Sequence, residues 1–411
     1  MMKWRSSRLS RLGSAVFAEV AEWKEEARHD GLDVIDLGIG SPDLPPSERV
    51  RQAMSAAVLR DDAYRYPLSR GSIKFRLTAA DWLSYRFGIS IDPERELVTL
   101  MGSQDGLAHL ALAVSEPGDM AIVPDPGYPI YAAGLAVAGV EPYFVPLRAD
   151  NGFLPDLGAV PEHIWAKSAF ILLNFPSNPV SAVADLPFFE RLAAIAKRCG
   201  VLVVHDLAYS EMAFDGFRPP SILQIEGAKD FAVEFHSLSK SFNLAGGRIG
   251  FLAGNAQAVG ALRDLKANLD YGVFEAVQEA GIEALREDMA GAAPVGPVYE
   301  RRRDRFLAAL RAEGWEVTPP KATMFVWAPL PKGWGSQQEG KVAADTPPKA
   351  DSRQSSRAFA RELLRATGVA VIPGSAFGAQ GEGYVRIALV EEADRLEEAA
   401  RRIGRFIRGE F

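Results

Sequence analysis

Between residues 97 and 254, short apolar runs rich in β-forming residues alternate with segments whose apolar residues recur at helical spacing. This alternation is typical of a mainly parallel sheet flanked by helices, so we assign the region to the α/β class. Several runs lack apolar and polar alternation, as strands buried on both faces do. The runs predict seven strands, at 97–101, 120–123, 143–145, 170–173, 201–204, 231–235 and 249–253.

Helical spacing is clear after the first predicted strand. A helix that starts just after Gly106 is predicted by apolar residues at i, i+3, i+4 and i+7, namely Leu107, Leu110, Ala111 and Val114.

The final third of the chain has a different pattern. Charged amphipathic helices predicted at 298–313 and 357–367 flank an apolar strand at 324–328, which indicates a separate, smaller α+β unit. Residues 333–356 are rich in Gly, Ser, Gln, Lys and Pro, with almost no large apolar residue after Trp334. Burial cannot offset the ordering entropy of such a segment, so we expect a mobile surface insertion there.

Composition narrows the classes of function. A chain of 411 residues suggests two or three compact units. The 46 basic and 53 acidic residues give a formal net charge of −7, which argues against a nucleic-acid partner. A single cysteine, Cys199, and five scattered histidines offer neither a disulfide nor metal-ligand spacing. We therefore expect no metal site and a reducing, cytoplasmic location.

The amino-terminal residues 1–14 are basic but lack the apolar stretch of a secretory signal. We expect a solvated basic arm, with an organellar transit peptide as the alternative. No run approaches the ~18 apolar residues of a membrane-spanning helix, so we expect no membrane partner. The basic residues of this arm are Lys3, Arg5, Arg8 and Arg11.

Polar residues cluster immediately after five of the predicted strands. Open α/β sheets bind ligands at the carboxyl ends of their strands, so we expect these clusters to converge on one cleft. They are Gly102-Ser103-Gln104, Asp125-Pro126-Gly127-Tyr128, Asn174-Phe175-Pro176-Ser177-Asn178-Pro179, His205-Asp206-Leu207-Ala208-Tyr209 and Ser237-Leu238-Ser239-Lys240.

Each cluster has an ordinary structural interpretation when taken alone. Lys240 would be a solvated lysine, Asp206 a turn or helix cap, and Tyr128 a packing aromatic. Arg248 would form a surface ion pair, and Gly102 would simply precede a helix, although the same backbone amides can bind phosphate. Only the combination of these residues indicates chemistry.

In combination, the motifs resemble those of fold-type I pyridoxal-phosphate aminotransferases. The resemblance rests on Ser237-x-Ser239-Lys240 with Arg248 eight residues later, on Asp206-x-x-Tyr209 and on Asn178-Pro179. Among subgroups, the chain looks most like bacterial LL-diaminopimelate aminotransferases and neighbouring amino-acid aminotransferases. The resemblance covers nearly the whole chain and includes Gly38-Ile39-Gly40-Ser41-Pro42-Asp43, Tyr66 with Gly71, Pro373-Gly374-Ser375-Ala376-Phe377-Gly378 and Val385-Arg386-Ile387-Ala388.

This resemblance implies a fold and an activity. The fold would be a three-layer α/β/α large domain at 51–285 and a small domain built from 1–50 and 286–411. The activity would be transfer of an amino group from an L-amino acid, with LL-diaminopimelate a candidate, to a 2-oxo acid such as 2-oxoglutarate. Aspartate, alanine and aromatic donors are alternatives, as is a carbon–sulfur β-lyase reaction at the same site.

The resemblance also implies the catalytic and cofactor-binding residues. Lys240 would be the catalytic amine, Asp206 the carboxylate partner of the ring nitrogen of pyridoxal 5'-phosphate, and Tyr209 a partner of the ring hydroxyl. Tyr128 would lie over the cofactor ring. The phosphate would be bound by Ser103, Gln104, Ser237, Ser239 and Arg248.

Substrate and subunit contacts follow in the same way. Arg386 would pair with the substrate α-carboxylate, beside Gly40, while Asn178 would contact both cofactor and substrate. Tyr66 would reach the cofactor phosphate of a neighbouring subunit, which implies a homodimer. Lys266 is a further candidate for a distal substrate carboxylate, although a helix-borne lysine is normally solvated.

Two positions depart from the family pattern. The usual Asn-Pro-Thr-Gly is Asn178-Pro179-Val180-Ser181, and Gly247 stands where an aromatic residue often precedes the phosphate-binding arginine. Because Asn178 and Arg248 are present, we expect cofactor binding to be retained, whereas the two departures leave the local loop geometry and the substrate preference open.

A non-catalytic effector sensor fused to a DNA reader is the alternative from another class. Only about 35 residues precede Ile35, and no helix-turn-helix module fits there.

Overall fold

The computed structural model describes residues 15–292, 295–334 and 355–411, together with Trp4, Ser6, Leu9 and Leu12. The basic residues of the predicted amino-terminal arm and nearly all of the predicted insertion at 333–356 lie outside the described residues. Within the described ranges, no helix has both the length and the apolar character needed to cross a membrane.

The helices occur along the whole described chain, and several begin and end at ordinary capping signals. Asp185, for example, accepts a hydrogen bond from the Phe188 amide at the start of one helix, and Gly200 ends that helix with a φ of +70°. The helices are α1 Ala15–His29, α2 Glu48–Val58, α3 Ile73–Phe87, α4 Ser103–Val114, α5 Ile130–Ala138, α6 Glu162–Lys167, α7 Leu186–Cys199, α8 Leu238–Ser241, α9 Ala256–Leu269, α10 Glu275–Met289, α11 Gly296–Ala312, α12 Ser356–Thr367 and α13 Ala393–Ile407.

The strands fall into three sheets. They are β1 Ile35–Asp36, β2 Leu97–Leu100, β3 Met120–Asp125, β4 Glu141–Pro146, β5 Ser168–Asn174, β6 Leu202–Asp206, β7 Ala232–Ser237, β8 Gly250–Gly254, β9 Phe325–Pro329, β10 Val369–Ala370, β11 Ile372–Pro373 and β12 Tyr384–Ala388.

The largest sheet has seven strands in the order β2-β8-β7-β6-β5-β3-β4. All of its strand pairs are parallel except the two that involve β8, which is antiparallel to both β2 and β7. The seven strands correspond to the seven apolar runs, so the prediction of a mainly parallel sheet is confirmed.

Helices cover both faces of this sheet. Neighbouring residues along β6 show this, because Val203 belongs to the same buried apolar cluster as residues of α3, α7 and α10, whereas Val204 belongs to a cluster with residues of α4, α5 and α9. Both side chains are fully buried, which explains why the strand lacks apolar and polar alternation. The three-layer α/β/α architecture is therefore confirmed.

The carboxyl-terminal third builds a second core. Strands β11, β12 and β9 form an antiparallel sheet that packs with α11, α12 and α13. The short strand β1 pairs in parallel with β10, matching Ile35 with Val369. Residues near the amino terminus therefore join the carboxyl-terminal core.

Helix α4 begins earlier than its apolar spacing predicts. The expected start was after Gly106, but the helix begins at Ser103 because Gly102, with a φ of +77°, turns the chain directly from β2 into the helix. Ser103 and Gln104 consequently lie in the first helical turn, where backbone amides have no partner within the helix.

Candidate active site

One cavity of about 870 Å³ brings together twelve of the thirteen predicted site residues. It lies at the edge of the large sheet where β2, β3, β5, β6 and β7 end, as the polar clusters after these strands predict. The residue that does not line it is Tyr66. The twelve that do are Gly40, Ser103, Gln104, Tyr128, Asn178, Asp206, Tyr209, Ser237, Ser239, Lys240, Arg248 and Arg386.

Asp206 is a buried carboxylate with one oxygen free for a ligand. Its Oδ2 accepts a hydrogen bond of 2.7 Å from the Tyr131 hydroxyl, whereas its Oδ1 has no partner among the described residues. The Asn174 side chain donates to the Asp206 backbone carbonyl at 2.7 Å and holds the end of β6 in place. Burial raises the pKa of Asp206, and the Tyr131 hydrogen bond opposes that rise. The free oxygen is suited to accept a proton donor from a bound molecule.

Lys240 places an amine with a low pKa in the same cavity. It lies in α8, directly after β7, and its Nζ donates to the Gly40 carbonyl. Burial lowers the pKa of Lys240 to about 8, and the positive charges of Arg386 and Arg248 add to the effect. At pH 7 about one tenth of the amine is therefore unprotonated, far more than for an ordinary lysine, and able to act as a nucleophile or base.

Arg386 is held rigidly in the cavity wall. Its Nη1 donates to Asn178 Oδ1 at 3.0 Å and its Nη2 to the Gly38 carbonyl at 2.9 Å, while its Nε has no partner in the described chain. The guanidinium lies 4.2 Å from the centre of the Phe325 ring, in a cation–π contact. Burial lowers the pKa of Arg386 to about 10, which keeps it charged at neutral pH. A buried, oriented guanidinium of this kind is suited to a carboxylate.

Gly40 lies close to this guanidinium. A Cβ added there would be 3.6 Å from Arg386 Nη2, so a side chain at this position would crowd the space in front of the arginine. The placement agrees with a carboxylate-binding loop.

Serine hydroxyls, the start of α4 and Arg248 form an anion-binding corner of the cavity. Arg248 Nη1 is 3.4 Å from Ser239 Oγ and donates to the Ala245 carbonyl at 3.0 Å. A Cβ added at Gly102 would lie only 2.6 Å from Arg248 Nη2, so the turn into α4 packs directly against the guanidinium. A guanidinium beside a helix amino terminus favours a phosphate group.

Two tyrosines and a glutamine complete the lining. Tyr128 donates to Gln104 Oε1 at 3.1 Å, which joins the turn after β3 to the first turn of α4. Tyr209 is buried with its ring 5.9 Å from Phe325, and burial raises its pKa strongly. The Tyr209 phenol therefore remains protonated and available as a hydrogen-bond donor.

Tyr66 and Lys266 lie away from the cavity. Tyr66 is 86% exposed and its ring packs 5.2 Å from that of Tyr271. Lys266 is fully buried in α9, with its Nζ 2.5 Å from Asp105 Oδ2 and 2.8 Å from Asp270 Oδ2. It is therefore neither a cavity residue that could meet a distal substrate carboxylate nor the solvated lysine of the alternative interpretation.

The two departures from the family pattern have local explanations. Ser181 has a φ of +57°, in the left-handed region that usually favours glycine. Its hydroxyl lies 2.8 Å from Thr323 Oγ1 and donates to the Phe325 carbonyl at 2.9 Å, and these contacts offset the backbone strain. At Gly247, a Cβ would lie 2.9 Å from Leu244 Cγ, so the leucine occupies the space that a larger side chain would need.

Sequence reasoning missed the residues that support Asp206. Tyr131 lines the cavity and had a signal, because it follows Tyr128 by three residues. Asn174 also lines the cavity and stands in the polar cluster predicted after the strand at 170–173, but no role was assigned to it. Glu234 was also missed, and His205 stood in a predicted polar cluster without an assigned role. The two side chains form a buried contact of 2.8 Å next to Asp206 on β6. No group of three or more potential metal ligands is placed together in the described ranges.

Comparison with known proteins agrees with this geometry. The family model "Aminotransferase class I and II" matches residues 32–403. The LL-diaminopimelate aminotransferase of Moorella thermoacetica is 42% identical over 400 residues, covering 97% of both chains. LL-diaminopimelate aminotransferase 2 of Trichormus variabilis is also 42% identical, over 399 residues, covering 97% of each.

Solved structures show the same relationship. Substrate-bound BacF from Bacillus subtilis superposes with a TM-score of 0.88 at 33% identity and covers 98% of both chains. A probable N-succinyldiaminopimelate aminotransferase from Thermus thermophilus gives a TM-score of 0.84 at 39% identity, covering 95% of this chain and 99% of that one. With its family model spanning most of its length and its relatives matched almost end to end, the chain belongs to the class I and II aminotransferases.

Proposed function

We propose that the chain is a pyridoxal-phosphate-dependent aminotransferase that moves the amino group of an L-amino acid to a 2-oxo acid such as 2-oxoglutarate. One observation carries the assignment of the cofactor. Asp206, with a free buried oxygen, and Lys240, with a pKa lowered to about 8, line one cavity that also has a phosphate-binding corner. These are the three groups needed to hold a protonated ring nitrogen, an aldehyde and a phosphate.

The residues present fit pyridoxal phosphate in type and number. Asp206 Oδ1 would accept the ring N–H, and Asn178 and Tyr209 would contact the ring hydroxyl. Tyr128 would lie against the ring, and the phosphate would be held by the residues Ser103, Gln104, Ser237, Ser239 and Arg248. When bound, the cofactor supplies an electron sink that stabilises negative charge at the substrate α-carbon.

The protein's own part in catalysis is to hold the substrate and to move a proton. Arg386 binds the α-carboxylate with its planar guanidinium, and Asn178 and Gly38 fix that guanidinium from behind. Lys240 Nζ takes the proton from the substrate α-carbon, holds it as an ammonium and would deliver it to a carbon on the cofactor side. A pKa of about 8 is well matched to this task at neutral pH. The Gly40 carbonyl holds the amine on the substrate side of the cavity.

We further propose a homodimer in which Tyr66 completes the partner's cavity. Support comes from a cluster of exposed apolar side chains around this tyrosine: Tyr64, Leu68, Tyr271 and Phe274. Apolar exposure of this kind marks an interaction surface. The cavity would then lie between a large domain at 51–285 and a small domain of 1–50 and 286–411. We place the enzyme in the cytoplasm, where its amino-acid and 2-oxo-acid substrates are dissolved.

LL-diaminopimelate is our first candidate for the amino donor, because the curated relatives at 42% identity carry that activity in their names. The test is a set of half-reactions, in which purified enzyme with pyridoxal phosphate is mixed with single amino acids and its visible absorption is followed. We expect LL-diaminopimelate to change the spectrum fastest. A faster response to aspartate, alanine or an aromatic amino acid would reassign the donor without affecting the proposed reaction type.

Replacing the amine tests the reaction type. Lys240→Ala should abolish transamination and the visible band that depends on this lysine, whereas Lys197→Ala, outside the cavity, should leave both unchanged. Retained transamination by Lys240→Ala would refute the assignment. Release of pyruvate and ammonia from cystathionine without a 2-oxo acid would indicate β-elimination instead.

A further inference from the structure

The charges that line the cavity leave one cation without a role in the proposed function. Among the described residues of the lining, four are positively charged, Lys24, Lys240, Arg248 and Arg386, and one is negatively charged, Asp206. Lys240 is the catalytic amine, Arg248 serves the phosphate and Arg386 serves the α-carboxylate. Lys24 remains, and its ion-pair partner Asp36 does not line the cavity.

Lys24 reaches the cavity from the amino-terminal helix. Phe17, Val20 and Lys24 lie at i, i+3 and i+7 of α1 and together line the cavity. Phe17 anchors this face of the helix by an edge-to-face contact with Phe377, at 5.5 Å between ring centres. The lysine side chain is 15% exposed, and besides the cavity it borders a shallow surface depression that Asp36 also lines.

A short chain of hydrogen bonds connects Lys24 to the carboxylate-binding arginine. Lys24 Nζ donates to Asp36 Oδ2 at 2.7 Å, and Asp36 Oδ1 accepts from the Gly38 amide at 3.0 Å. The Gly38 carbonyl in turn accepts from Arg386 Nη2 at 2.9 Å. The two cations therefore share one wall of the cavity, and the 38–41 loop lies between them.

The ammonium of Lys24 retains binding capacity. Asp36 uses one of its three N–H donors within the described part of the chain, and Asp36 itself is also satisfied by the Gly38 amide. A second carboxylate can therefore join the pair without leaving Asp36 unpaired. An apolar side chain offers this ammonium no acceptor.

We propose that Lys24 is a specificity-determining residue that binds the distal carboxylate of dicarboxylic substrates. This inference rests on the proposed function and deepens it, because it assigns the substrate class to amino acids and 2-oxo acids with a second carboxylate. Both 2-oxoglutarate and diaminopimelate belong to that class.

Binding of unreactive analogues to the enzyme loaded with pyridoxal phosphate tests the assignment directly. Glutarate and valerate have the same carbon chain length and differ in the second carboxylate, and calorimetry gives the dissociation constant of each. A hydrogen bond to a charged group is worth about 1.5–3 kcal/mol, so Lys24→Met should weaken glutarate about 10-fold to 100-fold. Valerate should change by less than about twofold, since it lacks the group that Lys24 contacts.

Three further variants separate specificity from simple support of the fold. Lys24→Arg keeps the charge and should restore most of the glutarate affinity. Asp36→Asn keeps an acceptor for the Gly38 amide but releases the lysine, so glutarate should bind at least as tightly as in the wild type. Arg28→Met removes an exposed cation of the same helix that does not line the cavity, and it should change neither ligand.

The outcomes are distinct. Equal weakening of glutarate and valerate in Lys24→Met, or weakening of glutarate in Asp36→Asn, would show that the pair merely supports the fold and would overturn the inference. No preference of the wild type for glutarate over valerate would overturn it as well. Failure of the wild type to transaminate any amino acid would instead contradict the proposed function, and analogue binding would still report on Lys24.

Discussion

Removing the Tyr131 hydroxyl is the most direct test of how the cavity controls Asp206. In Tyr131→Phe, Asp206 Oδ2 loses a 2.7 Å hydrogen bond from a donor that is itself buried. Burial already raises the pKa of Asp206, and the Tyr131 bond opposes that rise, so its loss must raise the pKa further. The carboxylate form that pairs with a protonated ring nitrogen becomes less populated.

The size of the effect follows from the type of bond. A hydrogen bond to a charged group contributes about 1.5–3 kcal/mol, which corresponds to about 10-fold to 100-fold in an equilibrium constant. That factor applies to the acid dissociation constant of Asp206, so we expect the affinity of Tyr131→Phe for pyridoxal phosphate to fall by at most the same factor. The control is Tyr128→Phe, which removes a 3.1 Å bond to the neutral amide of Gln104 and should cost only about 2-fold to 10-fold.

The pH dependence provides an independent measurement. Activity that needs ionised Asp206 is lost as the pH falls through its pKa, so a higher pKa moves the acidic limb of kcat/KM to higher pH. Titration of the apoenzyme with cofactor, followed by visible absorption, gives the affinity, and kcat/KM across pH gives the limb. If Tyr131→Phe leaves both the affinity and the acidic limb at wild-type values, the argument that Tyr131 sustains the Asp206 charge is wrong.

Three further predictions concern the supports around the cavity. Hydrogen bonds from His205 and His236 overcome the effect of burial and lower the pKa of Glu234 from 4.5 to about 2. The ionised carboxylate therefore contributes about 3 kcal/mol to the free energy of unfolding above pH 4.5, and this contribution is lost as the pH falls towards 2. Urea unfolding of Glu234→Gln should lack that acid-dependent loss. Lys266→Met should lower the free energy of unfolding by about 3 kcal/mol, since it leaves two carboxylates that are only 8% and 15% exposed without their cation, whereas unchanged stability would contradict this ion network. Gly102→Ala should weaken cofactor phosphate binding, because its Cβ would meet a guanidinium at 2.6 Å; pyridoxal, which lacks the phosphate, should bind unchanged.

The strands were predictable from sequence, but their polar ends were not. The run at 201–204 predicted a strand that stops at Val204, whereas β6 continues through His205 to Asp206. A histidine and an aspartate end an apolar pattern when only neighbours in sequence are considered. In the fold, Glu234 on the adjacent strand pairs with His205 in register and accepts its hydrogen bond. The strand is extended by a partner 29 residues away, which local patterning cannot detect.

Lys266 shows the same limit for a single side chain. A lysine on a helix is solvated unless buried anions hold it, and nothing within its own turn indicates burial. Asp270 lies four residues away, but Asp105 is separated from it by 161 residues. Only the packing of α9 against α4 brings that carboxylate to the lysine, so its burial could not be predicted from helical spacing.

The topology of the large sheet explains why Arg248 reaches the cavity although it precedes a strand. The other polar clusters follow parallel strands, so their positions at the carboxyl edge follow from one rule. Strand β8 runs the opposite way, which places its amino end, and therefore Arg248, at that same edge. The register shows this directly, since Gly250 pairs with Ser237 at the end of β7 and with Leu100 at the end of β2. A parallel β8 would have carried Arg248 to the far edge of the sheet, away from the other residues of the proposed phosphate-binding corner.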